Sequence, residues 1–429
     1  MVICFLSIAM YVKTCKFEFA MWLCLLDSPV CVYSMDMIYL DSNATTQVHP
    51  EAVEAMLPYL TDQCYNPSSG YHAGKKVKDA VERAREQVAS LIGADAREIY
   101  FTGCGTEANN AVLYSLAGMC GENRTIVTSE IEHSAILRVC EHLTERGFKI
   151  VKIGVDSGGR LDLAAWEKAV SSEGAAFATL MWANNETGII QPIAEALALA
   201  KAAKVPFHTD AIQAVGKTPV DVREVPVDFL SISGHKFHAP KGIGALYVRS
   251  GVRFEPMLRG GGQESGFRSG TENVASIVGM GKAAEIMQTK LDSDGHAGVV
   301  ELRNHLEKII KESLDGVQVN GDVEYRAANT AHLAFEHCEA AGLLILLDEY
   351  GVACSAGSAC MTGKQQPSHV QKAMGFSNER ANSSLRISLS IFTTKEEVEE
   401  AAQQIIKAVK KLRSVQGGGN VGPVAIYTE

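Results

Sequence analysis

The sequence predicts an α/β protein built on a largely parallel sheet. From Met37 onward, short apolar runs of strand character alternate with amphipathic helical stretches. Hydrophobic residues at 46% and charged residues at 21% are those of a soluble globular chain. No internal repeat or low-complexity linker interrupts the alternation, and 429 residues exceed the usual size of one core, so two domains are expected.

The elements follow in order. "EAVEAMLPYL" (51–60) and "AGKKVKDAVERAREQVASLIGA" (73–94) carry apolar residues at helical spacing, and the second ends at Gly93, which can cap it. "EIYFTG", "RTIVTS", "KIVKIG", "AAFATLMWA", "PFHTDA", "DFLSISG" and "IGALYVR" read as strands, with helices such as "IAEALALAKAAK" between them. A domain change is expected near residues 285–300, around "LDSDGHAG". Beyond it "VVELRNHLEKIIKESL" and "KEEVEEAAQQIIKAVKKLRSV" are amphipathic helices, and "QGGGNVGPVAIYTE" is a loose tail.

The first 36 residues are apolar, but Lys13, Lys16 and Glu18 interrupt them, and a basic n-region and a small-residue cleavage site are lacking. They are expected to be an extension outside the fold rather than a signal peptide or anchor, with folding beginning near Met35 or Met37. A net charge of −10 argues against nucleic acid as a partner. Of eleven cysteines, Cys4, Cys15, Cys24 and Cys31 sit in the leader and the rest are scattered. Without CxxC or zinc spacing they suggest no metal and a reducing compartment, the cytoplasm.

Three loops at strand ends carry chemistry. "FTGCGTEANN" runs from a strand through a Gly-rich turn into a helix, where free N–H groups and the Thr106 hydroxyl can hold a phosphate. Such turns are also common for steric reasons alone. Asp210 in "FHTDAIQAVGK" ends a strand; it can cap the next helix or pair with a protonated ring nitrogen. Lys236 in "SISGHKFHAP" ends a later strand, in the crevice where open α/β sheets bind ligands. A desolvated lysine there can form a Schiff base. Phosphate loop, acid and lysine together describe a pyridoxal 5′-phosphate site.

The chain also resembles the NifS/IscS-type cysteine desulfurases of the class V aminotransferase family, from Tyr39 to about Ser414. The stretches that carry the resemblance are "YLDSNATT", "NPSSGYHAG", "GTEANN", "EIEHSAI", "NNETGIIQPI", "HTDAIQAVGK", "SGHKFHAPKGIGALYVR", "GGGQESGFRSGTEN" and "SAGSAC". It implies the pyridoxal-phosphate fold type I: a large domain (51–290) with a mostly parallel seven-stranded sheet flanked by helices, and a smaller α+β domain (291–414). Residues 37–50 would join the small domain, and 415–429 would form the tail.

Residue by residue, the resemblance implies that Lys236 binds the cofactor aldehyde and Asp210 pairs with the ring nitrogen. Gln213 and Asn185 would lie near the ring hydroxyl, and His133 would stack on the ring and help move protons. Gly105, Thr106, Ser233 and His235 would hold the phosphate, completed by Thr271 from a second subunit of a homodimer. Arg386 in "SSLRIS", with Asn185, would receive the substrate carboxylate. Cys360 would be the nucleophile that takes sulfur from L-cysteine as a persulfide, leaving alanine, and passes it to an acceptor or iron–sulfur scaffold protein.

Four positions depart from the family pattern. Cys354 stands where a small non-thiol residue is expected, either inert or able to trap Cys360 as a disulfide. Ser390 and Ile391 replace a Gly-Arg pair, and Cys104 replaces a small residue. A selenocysteine lyase, a class V aminotransferase without sulfur chemistry and a catalytically silent scaffold are the competing readings.

Overall fold

The computed structural model describes residues 37–356 and 367–416, so the expectations placed on residues 1–36, on Cys360 and on the tail from 417 lie outside the described residues. The described chain enters through a short strand, β1 (Ile38–Tyr39), and two helices, α1 (Pro50–Leu60) and α2 (His72–Leu91). The cap expected after α2 forms: Gly93 takes φ +66°, and Ala94 N–H reaches Ala89 O at 2.9 Å, the long back-bond of a Schellman ending.

Strands and helices then alternate as β2 (Ile99–Thr102), α3 (Gly105–Met119), β3 (Thr125–Ser129), α4 (Ser134–Glu145) and β4 (Lys149–Ile153). They continue as α5 (Leu163–Val170), β5 (Ala175–Met181), α6 (Ile193–Ala202) and β6 (Phe207–Asp210). With β7 (Phe229–Ser233) and β8 (Gly244–Val248) they form a seven-stranded sheet in the order β2-β8-β7-β6-β5-β3-β4.

Only β8 is antiparallel, and it is so to both neighbours. The two reversals cancel. Strand β2 therefore points the same way as the parallel set β3 to β7, and the C-terminal ends of all six lie along one edge. The loops leaving that edge are the ones that carried the chemical signals, which is where an open sheet gathers its ligand contacts.

Apolar side chains pack the sheet into two clusters, one around Trp166, Phe207 and Tyr247, the other around Leu113, Phe177 and Phe229. Helix α7 (Val274–Asp294) crosses α2 at close range. A Cβ at Gly281 would lie 2.5 Å from Ala84 Cα, so this crossing tolerates only glycine. Gly295 and His296 then take φ of +55° and +64°, which ends α7 and starts α8 (Ala297–Ser313) as a separate helix.

The remaining elements are β9 (Val317–Val319), β10 (Thr330–Phe335), α9 (Ala340–Glu349), β11 (Val352–Ala353), β12 (Ser355–Ala356), α10 (His369–Ala373), α11 (Asn378–Asn382), β13 (Ser384–Ser388) and α12 (Lys395–Gln416). They build an antiparallel sheet in the order β12-β13-β10-β9 over a core of its own, around Leu306, Phe335, Leu343 and Ile405. Strand β1 pairs with β11. The segment after β1 runs from this sheet to the larger one: Ser42 N–H bonds Ser388 O at 3.0 Å, then Thr46 N–H bonds His235 O at 2.8 Å.

Candidate active site

A cleft of about 670 Å³ opens where the two sheets meet. Gly105, Thr106, His133, Asn185, Asp210, Gln213, Ser233, His235, Lys236 and Arg386 all line it. Sequence positions spread over more than half the chain are thus brought to one place. Thr271 is exposed and does not line the cleft, and Cys360 lies outside the described residues.

The floor is made by strand ends. After β2 the chain turns into α3 so tightly that a Cβ on Gly105 would sit 2.2 Å from Ile212 Cδ1 and 3.1 Å from Ser233 Cβ. Glycine lets the first amides of this fifteen-residue helix reach the floor, where their unpaired N–H groups and the positive dipole end suit an anion. Cys104 has a local explanation: it caps the helix, its Sγ accepting from Glu107 N–H at 3.4 Å.

Asp210 ends β6, and its carboxylate is held from two sides. Asn109 Nδ2 donates to one oxygen at 2.7 Å and Ile212 N–H to the other at 3.0 Å. The capping and ligand readings of this acid are therefore compatible. Burial pushes its pKa up, opposed by His133, by these hydrogen bonds and by Lys236, so a cation placed against it is stabilised. His133 accepts from Ala135 N–H through Nδ1 at 3.1 Å. In the neutral ring Nε2 then carries the proton.

Lys236 follows β7 and is half-buried on the cleft wall. Its Nζ donates to the backbone oxygens of Asn43 and Ala44 at 2.7 and 2.8 Å. Burial, reinforced by Arg386, pushes its pKa down to about 8, so the nucleophilic free amine is accessible near neutral pH. His235 Nδ1 meets Thr45 Oγ1 at 3.2 Å, and burial lowers its pKa to about 4.

The roof comes from the smaller sheet. Arg386 on β13 is 7% exposed. Its guanidinium donates to Asn185 O at 2.9 Å and to Asp41 Oδ1 at 2.7 Å, while its buried Nε has no partner among the described residues. A guanidinium lining a cleft suits a carboxylate. Asp41 also accepts from Ser355 Oγ at 2.8 Å, which ties the arginine to the strand leading to Cys360. Cys354 lines the cleft too, but burial pushes its thiol up to about 12 and keeps it protonated. Where the described chain resumes, Ser368 Oγ bonds the Glu186 carboxyl and His369 Nε2 bonds Glu132 O at 3.0 Å.

Ser390 and Ile391 are accommodated locally. Ser390 Oγ accepts from Phe392 N–H at 3.1 Å in a turn, and Ile391 packs against the larger core. Sequence reasoning missed Asp41, Asn43, Asn109 and Lys217. Each lies inside a quoted motif, but none sits at a strand end, and their partners are 100 or more residues away or buried in the same turn.

The donor set suits pyridoxal 5′-phosphate: an amine for its aldehyde, a buried acid for its ring nitrogen, and helix-terminal amides beside a glycine whose Cβ would fill the space. The sequence profile described as Aminotransferase class-V matches residues 38–401. A cysteine desulfurase of Nostoc sp. is 45% identical over 385 residues, covering 89% of this chain and 95% of the relative. The cysteine desulfurase NifS of Azotobacter vinelandii is 44% identical over 390 residues, covering 90% and 96%. A solved NifS-like protein superposes with a TM-score of 0.82 at 35% identity, covering 87% of this chain and all of that one. Floor, roof and relatives agree, and the chain belongs to the class-V aminotransferase family, whose members use pyridoxal phosphate.

Proposed function

We propose that the protein is a cysteine desulfurase: it converts L-cysteine to L-alanine and holds the sulfur as a persulfide on Cys360. The observation that carries this reading is one cleft lined by Lys236, Asp210, the α3 terminus and Arg386, with β12 entering it four residues before Cys360. The identity to cysteine desulfurases over nine-tenths of the chain favours it over a selenocysteine lyase, a plain aminotransferase or a silent scaffold.

Pyridoxal phosphate supplies an aldehyde and an electron-withdrawing ring that stabilises negative charge beside the substrate's amino group. Lys236 would hold that aldehyde and, once freed as an amine, would be placed to take the substrate's α-proton. Asp210 keeps the ring nitrogen protonated, steadied by Asn109. The α3 amides, Thr106, Ser233 and His235 hold the phosphate. Gln213 and Asn185 would lie near the ring hydroxyl, His133 would stack on the ring and help move protons, and Arg386, with Asn185, would orient the substrate carboxylate. The Cys360 thiolate bonds to the substrate sulfur as the Cβ–S bond breaks. The electron pair stays with carbon, which is protonated and leaves as alanine.

Thr271 would complete the phosphate cradle of a second copy, so the working form is a homodimer with shared sites. Its loop is exposed but fastened: Arg85 pairs with Glu264 at 2.6 Å and Arg268 with Glu107 at 2.7 Å. The large part, 51–290, carries the floor, 291–414 the roof, and 37–50 bridges them. We place the enzyme in the cytoplasm, which suits the free thiols of Cys64, Cys104, Cys120, Cys140, Cys338 and Cys354; no helix among the described residues is long and apolar enough to cross a membrane. An acceptor or scaffold protein would take the sulfur onward to iron–sulfur clusters or other sulfur-containing cofactors.

The test is Cys360→Ser. The variant should stay yellow with bound cofactor and still change its spectrum on adding cysteine. Alanine and sulfide release should fall by roughly 10³-fold or more, and the loop peptide should gain no sulfur by mass. Full turnover by this variant, with Cys354→Ser inactive, would assign the nucleophile to Cys354 instead.

A further inference from the structure

Lys217 has no part in the chemistry above, yet it is 8% exposed and stands on the same turn as Gln213. Its Nζ donates to Gln213 Oε1 at 2.5 Å and to Asn43 Oδ1 at 3.0 Å, and it forms no ion pair among the described residues. Burying a cation beside neutral amides is costly, so the position calls for a reason. Burial, with Lys236 and Arg386 adding to it, pushes the Lys217 pKa well down. A neutral amine has two N–H groups, and two oxygens receive them.

What a lysine can do here that an apolar side chain cannot is donate: charged it has no acceptor, and neutral it gives its two hydrogens to Gln213 Oε1 and Asn43 Oδ1, with its one lone pair pointing away from both. A primary amide has an oxygen end and an NH₂ end of nearly the same shape, and only its neighbours decide which way it faces. With Lys217 taking Oε1, the Gln213 NH₂ group must turn the other way. One of its hydrogens goes to Asn43 O at 2.9 Å, and the second is left for the cleft that Gln213 lines.

Asn43 is fixed by the same logic. Its Oδ1 accepts from Lys217 and from Asn329 Nδ2 at 3.0 Å, while its Nδ2 donates to Thr330 Oγ1 at 2.9 Å. The backbone oxygen thus held accepts from the Lys236 amine.

We propose that Lys217 is a positioning residue that sets the orientation of the Gln213 amide, so that an N–H donor rather than a carbonyl oxygen faces the negatively charged ring oxygen of the cofactor. This rests on the pyridoxal-phosphate reading of the cleft. Without Lys217 the amide is free to turn, and the turned form sets oxygen against oxygen.

The experiment titrates full-length apoenzyme with pyridoxal phosphate for wild type, Lys217→Met, Gln213→Leu and the double variant. It also follows the pH midpoint of the bound cofactor's visible absorbance and the unfolding temperature of each apoenzyme. If Lys217 acts through Gln213, each single variant should weaken cofactor binding about tenfold, the size of one hydrogen bond to a charged group. The double variant should then be no worse than either single, and the midpoint should shift alike in all three. Lys217→Arg, also donor-only, should fold and restore both readouts where Lys217→Met is unstable.

Losses that multiply in the double variant would make Lys217 a structural plug and overturn the proposal. So would Lys217→Met binding cofactor within twofold of wild type, or a folded Lys217→Arg that fails to restore binding. A wild-type apoenzyme that takes up no pyridoxal phosphate would instead sink the cofactor reading itself, and this inference with it.

Discussion

Asp210 and Arg386 line the same cleft, yet the chain delivers them by different routes. Asp210 arrives on the floor because β6 ends there among parallel strands, and its partners Asn109 and Ile212 belong to the same layer. Arg386 sits in the middle of an antiparallel strand opposite His332 and Ser355, and it reaches the cleft only through Asp41 and Asn185 from elsewhere. The floor is a product of topology, and the roof is a product of long-range side-chain pairing. Each should therefore fail in its own way.

The largest expected effect lies on the floor. Lys236→Ala removes the amine proposed to bind the cofactor and take the α-proton, so turnover should fall by roughly 10³-fold or more. The yellow colour should be lost while the unfolding temperature stays near wild type. A yellow, borohydride-reducible variant would show that another lysine does this work.

A roof change should separate binding from chemistry. Arg386→Lys keeps the charge but loses the planar fork, so KM for cysteine should rise roughly 10- to 100-fold with a smaller change in kcat. Cofactor affinity should be unaltered, and steady-state kinetics with a cofactor titration decides this. Equal losses in both measurements would mean that floor and roof are one unit.

The two regions also meet in a pH dependence. The Lys236 pKa, lowered to about 8 by burial and by Arg386, makes the free amine scarcer by tenfold for each pH unit below that value. Cofactor capture by the apoenzyme, followed by stopped-flow absorbance, should accelerate as pH rises and level off above about 8. In Arg386→Leu the plateau should begin at higher pH, because a charge that lowers the lysine pKa is gone.

The smallest effect is expected at Asp41→Asn, which removes the charge and keeps one oxygen for Arg386, while the oxygen that accepts from Ser355 Oγ becomes an NH₂ group. A substrate carboxylate then meets less repulsion, and KM should fall about two- to fivefold, within the range of a partly screened ion pair. A rise would mean that the charge of Asp41 is needed to aim the guanidinium.

This contrast also explains what could be read from the sequence. The seven strands, the Gly93 cap, Lys236 and Asp210 follow from local pattern and the rule that ligands gather at strand ends, so the floor was legible. Arg386 was recognised only through the family resemblance, since an arginine inside "SSLRIS" carries no local sign of its partners. Asn43 and Asp41 were invisible for the same physical reason: their bonds to the rest of the site span 142 to 345 residues of chain. Cys104 and Ser390 needed the backbone before their capping and turn-forming bonds could explain them.

Glu107 has a consequence beyond holding a loop. It stands in the first turn of α3, bonds the Gly103 N–H at 2.8 Å and grips Arg268 with both oxygens, at 2.7 and 3.2 Å. The helix end proposed to hold the phosphate and the loop proposed to reach a second subunit are thus joined through one carboxylate. Equilibria that share a part are reciprocal: if cofactor tightens subunit association by some factor, association must tighten cofactor binding by the same factor. Cofactor content then depends on protein dilution. Cutting the link with Glu107→Gln should leave a dimer whose dissociation constant no longer responds to pyridoxal phosphate.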